Sequence, residues 1–479
     1  MRETIDLPLV VDLDGTLILT DTHTESVARV VRRHPLTALG LPFRRLRGRA
    51  AFAERIASRA DIDVETLPYR EALVDYLTVE KRRGRTIVLA TAAQRPVADR
   101  VAAHLGIFDA VLATEGGVEL SGDEKLARVR ERFGDRFIYV GNRAADLPIW
   151  HACRGAILAG APPSVLLDVR ANAFVEREFP AERGGASLWL SALGAHHWLK
   201  NLLLFVPLFA AFGFLDIGRL ATLALAFVAM SLGASAAYLF NDLWDLDSDR
   251  RHPCKRARPL ASGRVPLGAA AAGMVLLAAL SFALACAVSG AFAAVLAVYL
   301  VLTSAYICVL KSYVLVDVIM LTLLYMLRIV AGAVAVGIEI SPWLLAFSMF
   351  AFLSLALVKR CAELVSLRPG GSPAASGRDY QASDLDVLRP LGIGAALAAV
   401  VVFGLFIHAP GTTLRYGYPN LLWVVALGFI YLFARLWIAT VRGEMRGDPV
   451  VYLLENRGSL AMLGGIVLTT MLAHTITVD

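Results

Sequence analysis

This 479-residue chain offers little that would staple a fold covalently. Its five cysteines, Cys153, Cys254, Cys286, Cys308 and Cys361, are scattered and form no Cys-x-x-Cys pair. That pattern excludes both a disulfide framework and a thiolate zinc site. No stripe of basic residues interleaved with aromatics is present, so no nucleic acid is expected as a partner. The opening segment, MRETIDLPLVVDLDG, is a polar lead into a strand and does not read as a secretory signal. The N-terminal part is therefore expected to stay in the cytoplasm.

What is abundant is apolar. The chain is 57% hydrophobic with a mean hydropathy of +0.61, values that belong to membrane proteins. The average conceals a split. Residues 1–185 are densely charged and patterned like a soluble α/β protein, whereas residues 190–479 are mostly long apolar runs. The expected organisation is a soluble domain at 1–181, a linker at 182–190 (around ERGGAS) and a membrane domain at 191–479.

Nine runs have about the length that crosses a bilayer as a helix: 198–214, 219–240, 267–288, 291–310, 313–336, 342–358, 391–409, 420–440 and 459–476. Loop charge fixes their expected direction. The loops on one side hold Arg250, Arg251, Lys255, Arg256, Arg258, Arg264, Lys311, Lys359, Arg360, Arg368, Arg378, Arg389, Arg442, Arg446 and Arg457. Those on the other side hold only Arg219 and Arg415. The positive-inside rule then predicts a multi-pass protein of a bacterial-type inner (plasma) membrane, with a cytoplasmic N-terminal domain and the C-terminus on the opposite side. A homo-oligomer is left open.

The most specific stretch lies between two such runs, at Asn241–Gly263, NDLWDLDSDRRHPCKRARPLASG. Asp242, Asp245 and Asp249 recur at spacings of three and four, which places them on one helical face. Acids at a membrane edge are costly unless they hold a cation. Mg²⁺ takes one or two carboxylates together with the phosphates of a substrate. Arg250, Lys255, Arg256 and Arg258, with Asn241 beside the acids, would hold the remaining phosphate charge. A solvated loop whose acids merely balance its bases is the plainer alternative. Further along are Tyr306, Lys311 and Asp317 in SAYICVLKSYVLVDV, Arg328 inside an apolar run, and Lys359-Arg360. An ionisable residue at membrane depth marks a functional site by default, although Lys311 also suits an ordinary interfacial anchor.

In the soluble part, Leu7–Leu13, Thr86–Ala90 and Phe137–Val140 read as buried strands. The helical patterns Pro68–Arg83, Arg95–Leu105 and Glu124–Phe133 alternate with them, which predicts a doubly wound parallel sheet. Residues 20–67 read as a small helical cap. Asp12 and Asp14 in DLDGT follow the first strand, where a carboxylate points into the ligand crevice. Asp12 has the chemistry of a nucleophile towards phosphorus, and Asp14 that of the acid/base. Thr91 and Lys125 suit phosphoryl oxygens, and Asp146, with Asn142, suits a Mg²⁺ shared with Asp12 and Asp14.

These residues, in this order, resemble the haloacid dehalogenase (HAD) superfamily over residues 5–165. The resemblance implies a Mg²⁺-dependent phosphatase. One position departs from the family, which usually has Gly-Asp where this chain has Gly141-Asn142. A domain that binds phosphate without turnover is the competing reading.

The nine runs and the Asn241–Asp249 motif resemble the UbiA superfamily of intramembrane transferases. The resemblance implies an all-α membrane bundle that holds a Mg²⁺-bound diphosphate over a lipid groove. The motif Asp249–Gly263, Lys359-Arg360 with Glu363, and Gly447-Asp448-Pro449-Val450 look like the branch that transfers phosphoribose to decaprenyl phosphate. That implies phosphoribosyl pyrophosphate (PRPP) as donor, polyprenyl phosphate as acceptor, and Mg²⁺ in both domains. A HAD phosphatase on the same chain would then remove the 5-phosphate. The alternative is an aromatic prenyltransferase whose soluble domain acts on another phosphate or is a regulatory module.

Overall fold

A computed structural model of the chain describes residues 7–33, 61–115, 119–181, 185–366, 379–445 and 448–476. Packing divides it into two units, Met1–Leu193 with Leu239–Gly273, and Gly194–Tyr238 with Met274–Asp479. The acidic–basic stretch is thus grouped with the α/β part, which the sequence order does not suggest.

The first unit is built on six parallel strands: β1 (Leu9–Val11), β2 (Ile87–Gln94), β3 (Ala110–Thr114), β4 (Ile138–Gly141), β5 (Gly155–Ala159) and β6 (Val175–Phe179). Their spatial order is β3-β2-β1-β4-β5-β6. Side chains alternate across the sheet as the period of two requires. Leu9, Val11, Ile87, Leu89, Ile138 and Val140 enter one core, and Val10, Ala90, Tyr139 and Leu158 enter the other. Both faces are covered, which is why the strands read as near-continuous apolar runs. The chain winds outward from β1 in both directions, so the C-terminal end of β1 is the switch point where such sheets bind ligands.

The helices are α1 (Thr22–Arg33), α2 (Glu71–Arg82), α3 (Arg95–Leu105), α4 (Gly122–Phe133), α5 (Leu147–Ala152) and α6 (Pro163–Asn172). Of the expected cap, α1 and a 3₁₀ turn at Val64–Thr66 are described, and residues 34–60 lie outside the described residues. Of the expected linker, residues 182–184 lie outside them, and the rest is not extended: Ala186–Ala192 forms a helix, α7.

Eight helices among the described residues are long and apolar enough to cross a membrane. In this numbering they are α9 (Ile217–Trp244), α11 (Leu267–Val288), α12 (Gly290–Cys308), α13 (Val316–Val336), α14 (Pro342–Ser366), α15 (Leu385–Ile407), α17 (Leu422–Val441) and α19 (Arg457–Thr475). Short helices α8 (Val206–Ala210), α10 (Leu246–Arg251), α16 (Pro410–Arg415) and α18 (Pro449–Glu455) complete the set.

The expected first span, 198–214, is not one α-helix. It is a 3₁₀ stretch, Ala195–Phe205, that gives way to α8. Pro207 lacks the N–H that an α-helix interior needs, so the α-helix only begins there. The segment still runs the length of a crossing. Gly194, at φ +62°, packs on the Tyr238 ring near the C-terminal end of α9. Phe212 stacks on His474, in the last turn of α19, and meets Tyr416, which follows the short helix α16. Eleven residues at about 2.0 Å and five at about 1.5 Å give roughly 30 Å, the thickness of a hydrocarbon core. The protein is thus a multi-pass membrane protein with eight apolar spanning helices and a ninth, partly 3₁₀, segment of spanning length among the described residues.

Candidate functional site

Two clusters form within the first unit. The first sits at the switch point. Asp12 follows β1, and its backbone N–H donates to the Val140 carbonyl at 2.9 Å, which fixes its carboxylate at the sheet edge. Lys125, near the start of α4, reaches across and places Nζ 2.8 Å from Asp12 Oδ1. The same ammonium donates to the Tyr139 hydroxyl at 3.1 Å and lies 4.0 Å from Asp146. Tyr139 in turn donates to Asp146 Oδ1 at 2.9 Å. Asp146 Oδ2 accepts from the backbone of Asn142 and Arg143. Thr16 Oγ1 stands 3.1 Å from Asn142 Oδ1 and 3.4 Å from Asp12 Oδ2. Gly15 makes this approach possible. It has φ +75°, and a Cβ there would lie 2.4 Å from Asn142 Nδ2.

Burial, together with repulsion from Asp12, raises the Asp146 carboxyl, against the pull of Lys125. Burial disfavours the Lys125 charge, but Asp12 and Asp146 outweigh it and raise its value. Asp14 is pushed up to about 7, first by burial and then by the charges of Asp21 and Asp12. Such a carboxyl carries a proton part of the time at neutral pH, as an acid/base group needs. Its oxygens point at α1, where they accept from Thr22 N–H at 2.8 Å and Thr22 Oγ1 at 3.1 Å. Thr91 is fully buried in β2, and its Oγ1 accepts from Ala93 N–H at 3.0 Å.

The second cluster forms where α9 runs into α10. Backbone bonds from Asp245 to Asn241 and from Asp249 to Asp245 continue the helical repeat across the break, so the acids do share a face. Asp242 and Asp249 are buried, and Arg258 bridges them, with Nη1 3.0 Å from Asp242 Oδ1 and 2.8 Å from Asp249 Oδ2. Lys255 Nζ stands 3.9 Å from Asp249. Burial raises the Asp249 carboxyl while Arg258 and Lys255 draw it down. Asp242 Oδ2 is buried without a hydrogen-bond partner among the described residues. No three His, Cys, Asp or Glu side chains among the described residues converge as a ready-made metal cage. Two buried carboxylates with one orphaned oxygen still fit Mg²⁺, which draws its other ligands from water and substrate phosphates.

Arg250, grouped with the phosphate-binding residues on sequence grounds, is placed otherwise. Its guanidinium makes a two-pronged bond to Glu25 of α1, at 2.6 and 3.0 Å, and Nε donates to the Ala261 carbonyl. Arg256 is exposed.

The second unit has its own buried polar groups. Asp317 is ion-paired with Arg360, which also reaches Glu363, and Tyr380 donates to Asp317. Tyr306 lies half-buried in the last turn of α12. Lys311 lies half-buried in the turn Leu310–Ser312. Arg328 faces the protein interior, as a mid-span arginine must, and donates to Asn201 Oδ1, the Leu324 carbonyl and the Tyr299 hydroxyl. Lys359 and Lys200 face Asp448, holding its carboxyl down against the effect of burial, and Lys200 Nζ is 2.5 Å from Asp448 Oδ2. The sequence reading missed Lys200 and Asn201. Their signal was present: an adjacent lysine and asparagine inside the apolar run WLKNLLLF.

Comparison with known proteins divides the chain in sequence order, with residues 239–273 inside the membrane family's match. Residues 186–446 match the UbiA prenyltransferase family, and residues 9–151 match haloacid dehalogenase-like hydrolases. An uncharacterized protein, y4nM, of Sinorhizobium fredii is 36% identical over 455 residues, covering 95% of this chain and 88% of its own. A decaprenyl-phosphate phosphoribosyltransferase of Mycobacterium tuberculosis is 32% identical over 273 residues, 56% of this chain and 88% of its own. A solved UbiA homolog from Archaeoglobus fulgidus, bound to GPP and Mg²⁺, covers 60% of this chain and all of its own, with TM-score 0.44 and 16% identity.

Proposed function

The chain belongs to the UbiA prenyltransferase family and carries a haloacid dehalogenase-like domain at its N-terminus, and from that premise we propose that it is a bifunctional enzyme of lipid-linked pentose synthesis. The membrane domain transfers 5-phosphoribose from PRPP to polyprenyl phosphate. The N-terminal domain then removes the 5-phosphate to leave polyprenyl-phosphoryl-ribose. The loop charges support placing both steps on the cytoplasmic face of a bacterial inner membrane, with the C-terminus opposite.

The observation that carries the transfer reading is the buried pair Asp242 and Asp249, bridged by Arg258 and flanked by Lys255. Asp242, Asp249 and, one turn between them, Asp245 would hold Mg²⁺, which supplies charge neutralisation for a departing pyrophosphate. Arg258 and Lys255 bind the donor's phosphate oxygens. The acceptor phosphate, already anionic, attacks the anomeric carbon as the bond to pyrophosphate breaks, so no side chain need accept a proton.

In the phosphatase step, an Asp12 oxygen attacks phosphorus. Lys125 and Thr91 bind phosphoryl oxygens, and Asp14 protonates the departing ribose 5-oxygen. Water activated by Asp14 then hydrolyses the aspartyl phosphate. Asn142, Asp146 and Asp12 are the groups that would hold Mg²⁺ there; the buried oxygens around Asn142 fit it, with one carboxylate fewer than the family pattern.

The deciding experiment incubates the purified protein with PRPP, polyprenyl phosphate and Mg²⁺ and follows lipid products by mass spectrometry. Polyprenyl-phosphoryl-ribose is the expected end product. A prenylated aromatic acid, with PRPP untouched, would refute the reading.

A further inference from the structure

Helix α1 touches the first cluster and, in α10, the neighbours of Asp249 in the second. At its first residue, Thr22 donates twice to Asp14. One turn on, Glu25 is completely buried and accepts both prongs of Arg250, which lies in α10 directly after Asp249. Glu25 also accepts from Thr20 at 2.8 Å and from Arg29 at 2.9 Å. Arg29 extends the network to Asp247 at 2.6 Å, and Arg251 reaches Asp63 at 2.7 Å. Gly263, at φ +71°, closes the far end of the loop onto Leu19 and Pro68, where a Cβ would come within 3.0 Å of both. A buried carboxylate shared by two arginines forms only where the geometry is fixed from several sides. An arginine with its fork committed to a carboxylate and its Nε to the Ala261 carbonyl has little left for a substrate phosphate.

We propose that Glu25 and Arg250 are positioning residues that lock the carboxylate-bearing turn 245–251 to the first turn of helix α1, and that this same turn, bonded to Asp14 through Thr22, makes the transferase and phosphatase sites mechanically dependent on each other. The proposal rests on the bifunctional reading above. It assigns a function in the transfer step to a residue of the haloacid dehalogenase-like domain. Removing either partner strands a buried charge, which loosens α1 and the turn together.

The test uses the full-length protein with Glu25→Gln, Arg250→Gln, both together, and the conservative Arg250→Lys. Three quantities are read: transfer from PRPP, hydrolysis of p-nitrophenyl phosphate, and amide hydrogen exchange in segments 22–33 and 246–251. Each single Gln variant is expected to slow both reactions by about tenfold and to raise exchange in both segments. The double variant should be no worse than the poorer single one, as members of one pair behave. Arg250→Lys should recover part of both activities. If Arg250→Gln raises the KM for PRPP yet leaves hydrolysis and exchange in α1 untouched, Arg250 is a phosphate ligand and the proposal is overturned. Additive losses in the double variant overturn it as well. If the wild type transfers no phosphoribose, the bifunctional reading falls on its own, and exchange coupling between the two segments still decides the clasp. Should a Gln variant unfold as a whole, the Arg250→Lys variant decides by the same readouts.

Discussion

Lys125 Nζ lies 2.8 Å from Asp12 Oδ1, and both side chains are almost wholly shielded from water. Each charge is affordable there only because of the other. Breaking a buried pair from one side costs about 3–5 kcal/mol, since the remaining charge is stranded. Lys125→Met should therefore lower the stability of the first unit by roughly that amount and abolish phosphatase turnover. Asp12→Asn keeps a hydrogen-bond acceptor for Lys125, so it should destabilise less while abolishing turnover equally. Thermal unfolding in detergent, with p-nitrophenyl phosphate hydrolysis alongside, separates the two effects. Equal melting temperatures for wild type and Lys125→Met would contradict the argument.

Arg258 occupies the place between Asp242 and Asp249 that a divalent cation would share. Asp242→Asn should cut transfer on the order of a hundredfold and leave phosphatase activity intact. Arg258→Gln removes the bridging charge and leaves two buried carboxylates to repel each other. In that variant Mg²⁺ should raise the melting temperature more than it does in wild type, because a ligand stabilises the folded state by its binding free energy. Titrating Mg²⁺ in a thermal-shift assay checks this, and an unchanged Mg²⁺ response in Arg258→Gln would count against a metal at this pair.

The Glu25 network gives a pH signature. Burial alone would raise the Glu25 carboxyl, but Arg250, Arg29 and Thr20 hold it below its usual 4.5. A depressed folded value means that the unfolded state takes up the proton first. The pair thus contributes fully above the unfolded value near 4.5, and that contribution is lost as pH falls through the lower folded value. Acid unfolding of the wild type should steepen below about pH 4.5. Glu25→Gln, less stable at neutral pH, should show a shallower acid limb. Parallel limbs in the two proteins would mean that Glu25 does not titrate with folding.

Much of this was legible in the sequence because it is local. β1, β2 and β4 are short apolar runs buried on both faces, and the DLDGT and Gly141–Asp146 positions follow from where β1 and β4 end. β3, β5 and β6 escaped notice because five-residue runs such as AVLAT and VEREF carry too little periodicity. The spacing of Asp242, Asp245 and Asp249 correctly gave a common helical face. It could not give Arg258 as their bridge, nor the pairing of Arg250 with Glu25, which lies 225 positions away. Charge type is written in the sequence, but the partner of a charge is set by packing. The first expected span, 198–214, is a 3₁₀ stretch followed by a short α-helix, which hydropathy could not show because it does not register Pro207 or the internal bonds of Asn201.

The order of the two reactions makes the sharpest prediction. If transfer comes first, the lipid carrying 5-phosphoribose is an obligatory intermediate, and each site can be silenced separately. Asp12→Asn removes the nucleophilic charge without emptying the site. That variant should still consume PRPP and should accumulate polyprenyl-phosphoryl-5-phosphoribose. Asp242→Asn should make neither lipid from PRPP, yet should dephosphorylate the 5-phosphate lipid when it is supplied from outside. Mixing the two variants should restore the final product, more slowly than the wild type makes it, because the intermediate must pass between molecules instead of reaching a site at roughly mM effective concentration on the same chain. Asn142 sets the most informative control. Asn142→Asp restores the carboxylate usual at that position, so it should lower the Mg²⁺ concentration needed for half-maximal phosphatase activity. Mass spectrometry of extracted lipids reads every arm. If Asp12→Asn yields the same ratio of products as the wild type, the α/β domain does not act on this lipid, and its role must be sought in the hold that α1 exerts on Arg250.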